Sequence, residues 1–125
     1  MDTARKIVEG YWTSQQVRVL LRLGIPELLP VSGGGEPGLS AEEIAETLKI
    51  DPDNTYRLLR GLTVSELFTE DPQHRFKLTP VGAAMRRDHP RSWRSWLEIE
   101  LDGPHASLYE HLEHFVREGG GDAFT

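Results

Sequence analysis

The amino-acid sequence predicts a mainly α-helical fold: a winged-helix core with a small β-hairpin wing, flanked by further helices. Three observations carry that expectation. Two short capped helices follow one another, from Ser40 and from Asp51. Two short segments, Leu67-Phe68-Thr69-Glu70 and Arg75-Phe76-Lys77-Leu78, then surround the turn-rich stretch Asp71-Pro72-Gln73-His74, as strands surround a turn. Apolar-striped segments precede and follow this centre.

Taken in order, residues 3–23 form one long helix. Ile7, Val8, Tyr11, Trp12, Val19, Leu20 and Leu23 recur at three- and four-residue spacing, which builds an apolar face. Gly24 and Pro26 stop it. Ile25, Leu28 and Leu29 extend the apolar signal into a short turn or helix ending at Pro30, and Val31 to Gly38 is a glycine-rich loop. Ser40 and Glu43 make a capping box, in which the serine oxygen takes a free backbone N–H and the glutamate reaches back. Ile44, Ala45 and Leu48 bury that helix. Asp51-Pro52 opens the next, with aspartate as N-cap and proline where its missing N–H is harmless. Tyr56, Leu58, Leu59 and Leu62 give it an inner face. Thr79-Pro80 repeats the cap-and-proline start for a short helix through about Arg87. Trp93, Trp96, Leu97 and Leu101 mark another helix, broken by Asp102-Gly103-Pro104. Leu108, Leu112, Phe115 and Val116 mark the last, stopped at Gly119-Gly120-Gly121.

The chain has 125 residues, enough for one domain over residues 1–125 with one core. It holds no cysteine, which excludes disulfides, thiolate metal sites and cysteine nucleophiles. No apolar run reaches transmembrane length, so no membrane is expected. The polar start, Met1 to Lys6, lacks an apolar signal region, which points to the cytoplasm. The net charge of −6 repels a phosphate backbone unless the basic residues share one face. The flanking helices are apolar enough to suggest a partner surface; the alternative is that they fold back on the winged helix and complete its core.

Five pieces carry a resemblance. They are Leu23-Gly24-Ile25-Pro26-Glu27-Leu28-Leu29, the capping-box helix at Ser40, Arg57-Leu58-Leu59-Arg60-Gly61-Leu62, Leu78-Thr79-Pro80-Val81-Gly82, and the tail from Glu110-His111-Leu112 to Gly119-Gly120-Gly121-Asp122-Ala123-Phe124. In this order the chain resembles the N-terminal dimerisation domain of small-molecule O-methyltransferases that use S-adenosylmethionine. One departure is Ser65-Glu66, where the family usually has a glycine that would ease a left-handed helix exit. The resemblance implies a homodimer, flanking helices that dimerise, and a small aromatic, phenolic substrate in the complete enzyme. It implies S-adenosylmethionine for that enzyme, held by a following Rossmann-like domain that also carries a general-base histidine. Gly33-Gly34-Gly35 follows no convincing strand and Gly119-Gly120-Gly121 follows a helix, so neither has the context of a nucleotide-binding loop. This chain alone is therefore expected to bind no cofactor and to transfer no methyl group.

By the same resemblance, Ile99, Glu100 and His105 line the substrate pocket, while Glu9 and Trp12 of the first helix reach the partner subunit's pocket. On residue type alone, Ile99 and Trp12 suit a core, and Glu100 and His105 the surface. His111 and His114, beside Glu110 and Glu113, leave a zinc site incomplete, and a solvated helix face fits them better. His74 and His89 fall in turns as surface residues. A dimeric DNA-binding regulator is the second reading: Asn54, Arg57 and Arg60 would line a recognition helix, Arg75 and Lys77 the wing, and Arg86, Arg87, Arg91 and Arg94 a phosphate-contacting patch. The acidic balance argues against nucleic acid. A third reading is a stand-alone modulator of a full-length methyltransferase.

Overall fold

Residues 2–103 and 109–119 are described by the computed structural model. The elements are α1 (Asp2–Leu23), α2 (Ile25–Leu28), β1 (Leu39–Ser40), α3 (Ala41–Leu48), α4 (Pro52–Leu62), β2 (Phe68–Glu70), β3 (Arg75–Leu78), α5 (Pro80–Ala83), α6 (Arg94–Asp102) and α7 (Leu112–Glu118).

The local signals behave as their chemistry requires. Ser40 Oγ accepts from the Glu43 backbone N–H at 3.1 Å and the Glu43 carboxylate accepts from the Ser40 N–H at 3.1 Å, the reciprocal capping box. The Asp51 carboxylate accepts from Asn54 N–H at 2.8 Å, and Thr79 Oγ1 accepts from Gly82 N–H at 3.0 Å. Each cap satisfies a donor that the first turn would leave unpaired.

Two expectations need correcting. The wing is not a hairpin alone: β1 adds a third antiparallel strand, in the order β1-β3-β2, with Leu39 opposite Phe76 and Ser40 opposite Arg75. Gly38 makes this possible, because a Cβ there would lie 2.6 Å from the Phe76 carbonyl oxygen. A two-residue strand carries no periodicity, so the sequence shows only a loop. The helix from Pro80 ends at Ala83 rather than near Arg87. Beyond it the backbone tightens into bonds from Met85 N–H to the Gly82 carbonyl and from Arg86 N–H to the Ala83 carbonyl.

The core gathers Leu20 and Leu21 of α1 with Ile25, Leu29, Ile44, Leu59, Leu62, Phe76, Leu78 and Met85. It therefore sits under the C-terminal half of α1, not under the whole helix. Close packing fixes Gly82 as well: a Cβ there would lie 2.0 Å from the Leu67 carbonyl oxygen. The Ser65-Glu66 departure has a concrete solution. Glu66 itself takes the left-handed conformation, φ 61°, that a glycine would have eased.

Candidate functional site

The first helix divides into two halves with different surroundings. Val17, Leu20 and Leu21 enter the core, whereas Ile7, Val8, Tyr11 and Trp12 are exposed, Tyr11 to 66 % and Trp12 to 59 %. The expected single stripe from Ile7 to Leu23 is thus split. At about 100° per residue the Leu20 side chain points well away from Ile7 and Tyr11. The fold-back alternative fails for this half of α1, which covers none of these side chains within the described chain. On α7, Tyr109 just before it, Leu112 and Val116 are exposed too.

Helix α6 does fold back, and two charged clamps hold it against α1. Arg94, at its start, is 3 % exposed. Its guanidinium donates to Glu98 (2.9 Å), Glu27 (2.7 Å), and the backbone carbonyls of Met85 (3.0 Å) and Leu21 (2.8 Å). A buried cation is tolerable only when paired and hydrogen-bonded in this way. At the other end Asp102 accepts from Arg22 at 2.6 Å and Arg18 at 3.0 Å. A carboxylate in the last turn opposes the helix dipole. The hydrogen bonds from Arg22 and then Arg18 offset this and hold its pKa below the ordinary value.

Between α1 and α6 lies a pocket of about 410 Å³, bordered by Arg18, Leu21, Arg22, Leu97, Ile99 and Asp102. Its apolar floor and charged rim suit a flat ring bearing a polar group. Ile99 borders it. Glu100, the next residue, is half-buried on the same helix but does not border the pocket. Glu9 and Trp12 are exposed on the N-terminal half of α1, where Glu9 stands 3.9 Å from Arg5. Trp12 precedes Arg18 by about 9 Å along the helix axis. One chain therefore does not bring these four residues together. His105 lies outside the described residues.

A second polar cluster ties the wing to α4. Tyr56 OH donates to Glu70 at 2.7 Å and accepts from Arg60 at 2.9 Å, while His74 Nδ1 stands 2.7 Å from the same Glu70 oxygen. Burial raises the Glu70 pKa, but hydrogen bonds from Tyr56 and His74 and the Arg60 charge outweigh it and hold it low. His74, expected as a plain surface residue, is half of this wing clasp and packs edge-on against Tyr56. Glu70 lies only four residues before His74, but Tyr56 stands on α4, so no local pattern announces the clasp.

Three of the four arginines of the candidate basic patch past the wing are paired, while Arg91 stays exposed. Arg94 is the buried clamp, Arg86 bonds Asp88 and the Leu29 carbonyl, and Arg87 bonds Glu98 at 2.6 Å. In the wing, Arg75 bonds Glu43 and the Gly38 carbonyl, both by Nη1. Asn54 and Arg57 remain exposed on α4. Among the described residues no three or more His, Asp or Glu side chains are grouped to hold a metal. No described helix is long and apolar enough to cross a membrane. Gly33-Gly34-Gly35 precedes β1 rather than following a strand.

Comparison with known proteins agrees with this arrangement. Residues 6–88 match the O-methyltransferase dimerisation domain. O-demethylpuromycin-O-methyltransferase of Streptomyces alboniger is 33 % identical over 113 residues, covering 90 % of this chain and 28 % of that protein. Des-methyl DIF-1 methyltransferase A of Dictyostelium discoideum is 33 % identical over 118 residues, covering 93 % of this chain and 31 % of its own length. The chain thus spans about a third of such relatives. Among solved structures, an O-methyltransferase from neocarzinostatin biosynthesis, in complex with S-adenosyl-L-homocysteine, superposes with a TM-score of 0.66 at 32 % identity. That match covers 86 % of this chain and 34 % of the other. The capped helices, the three-stranded wing and the match over residues 6–88 lead to one assignment: the chain belongs to the O-methyltransferase dimerisation domain family.

Proposed function

We propose that this chain is the module through which two copies of a small-molecule O-methyltransferase pair, and that it supplies part of the substrate wall. One observation carries the reading: Ile7, Val8, Tyr11 and Trp12 stand exposed on consecutive turns of α1. Exposed apolar patches of this kind mark partner surfaces. Obligate homodimer interfaces resemble a domain core cut in half. Burying such side chains contributes roughly 1.5–3 kcal/mol each when complete.

In the assembled enzyme, Ile99, Glu100 and His105 of one copy and Glu9 and Trp12 of the other border a small aromatic acceptor, with S-adenosylmethionine supplying the methyl group. An aromatic wall suits such an acceptor, because ring stacking adds to simple area burial. The acceptor class is a phenol, in keeping with relatives such as 2,7-dihydroxy-5-methyl-1-naphthoate 7-O-methyltransferase of Streptomyces carzinostaticus. No residue of this chain is assigned to the cofactor or to proton transfer, and the working compartment is the cytoplasm. Light scattering at micromolar concentration tests the pairing, with twice the chain mass expected; a monomer counts against it. Reading the coding frame past the Thr125 codon tests the enzyme. About 200 further codons with a strand, a glycine-rich turn and a helix support it, and an immediate stop removes it.

A further inference from the structure

The pocket between α1 and α6 is unevenly charged. Arg18 and Arg22 stand one turn apart on α1, and both border it. Like charges at that spacing repel each other. A single carboxylate, Asp102, answers both, at 3.0 Å and 2.6 Å. Each guanidinium donates to it through Nε alone. Among the described residues, the Nη groups of both arginines therefore donate to no protein acceptor. Glu98, the other carboxylate on the border, does not make up the difference, because Arg87 bonds it at 2.6 Å and Arg94 at 2.9 Å. The pocket thus keeps a positive charge in excess, on a chain whose net charge is −6. Leu21, Leu97, Ile99 and Leu101 supply its apolar lining. At about 410 Å³ it has the size of a small-molecule site.

We infer that this pocket takes an aromatic carboxylate, with the ring against the leucines and Ile99 and the carboxylate on the Nη groups of Arg18 and Arg22. The inference rests on the acceptor site proposed above and names the acceptor's second group: a hydroxylated aromatic acid, not a neutral phenol. The chemistry follows from the donor set. A guanidinium presents its N–H groups in a planar fork that matches the two oxygens of a carboxylate. A neutral hydroxyl or amide in the same place leaves the excess charge unanswered. Asp102 holds the two arginines through Nε and leaves the other donors to the ligand. The apolar lining supplies affinity for a ring, and the arginine pair selects which ring compounds stay.

The probes are indole-3-carboxylate, its neutral isostere indole-3-carboxamide, and acetate, which has no ring. Each is titrated into the chain at neutral pH, with amide shifts followed by NMR and affinity by calorimetry. The carboxylate is expected to bind about tenfold or more tightly than the carboxamide, the scale of a hydrogen bond to a charged group. Its shifts are expected to centre on Leu21, Ile99 and Leu101, and acetate is expected to bind far more weakly. Arg22→Gln alters an exposed side chain, and circular dichroism checks that the helices remain. It is expected to remove most of the preference for the carboxylate while leaving the carboxamide unchanged. A carboxamide or an acetate that binds as tightly as the carboxylate overturns the inference. So does a chain that binds neither ring, a set of shifts centred away from α1 and α6, or a folded Arg22→Gln chain with its preference intact. None of these results bears on the dimer mass or the coding frame, which test the proposed function separately.

Discussion

Arg94 shows how far a single side chain can depart from its sequence neighbourhood. Among Arg86, Arg87 and Arg91 it reads as surface charge, yet its guanidinium is bonded to Glu27, Glu98 and two carbonyls. The partner Glu27 lies 67 residues away, so no local pattern reveals the pair. Removing one member of a buried pair typically costs about 3–5 kcal/mol. Arg94→Ala is expected to fall in that range in urea melts. Arg94→Lys is expected to recover little, because one ammonium cannot span the planar fork. Two backbone positions give predictions of opposite sign. Gly82→Ala forces a methyl into the Leu67 carbonyl at 2.0 Å and is expected to lower the melting temperature sharply. Glu66→Gly relieves a left-handed non-glycine residue and is expected to stabilise by about 0.5–1 kcal/mol. The Glu66 side chain is exposed, so nothing is lost with it. The family's glycine at this turn was legible from the chain's departure; the backbone strain that replaces it was not.

Helix starts whose signals are local were legible, though the end of α5 was not. The caps at Ser40, Asp51 and Thr79 involve partners three residues away, and helices start where they stand. The wing's third strand was not legible, because two residues pair only once Phe76 and Arg75 are in place. The Tyr56–Glu70–His74 clasp belongs to this scale too, since it fixes the wing against α4. Glu70 has a folded pKa below its ordinary value of 4.5. Its carboxylate therefore binds fewer protons folded than unfolded in the acid range. The stability it contributes is present above about pH 4.5 and is lost as pH falls through the lowered value. Tyr56→Phe removes the hydroxyl that donates to Glu70, at a cost of about 1–2 kcal/mol near neutrality. It is also expected to shrink the loss of stability below pH 4.5, measured as the difference between urea midpoints at pH 6 and pH 3.5. An unchanged difference would remove Tyr56 as a cause of the lowered pKa.

For the whole molecule, the apolar surplus of the flanking helices was visible in the sequence, and the proposed partner surface starts from it. What the sequence could not separate was which helix folds back. α6 does, because Arg94 and Asp102 tie its two ends to α1 and α2; the N-terminal half of α1 does not. The candidate wall shows the same limit. Ile99 borders a pocket within one chain, while the proposed contribution of Glu9 and Trp12 calls for a second. The most direct measurement is sedimentation equilibrium of the wild-type chain beside a Tyr11→Ser/Trp12→Ser variant, both at micromolar concentration, with helix content followed by circular dichroism. The account predicts twice the chain mass for the wild type. For the variant it predicts dissociation toward one chain with helical signal largely kept, since both side chains lie outside the core. A monomeric wild type, or a variant dimer as tight as the wild type, would contradict the claim that this face of α1 joins the two copies.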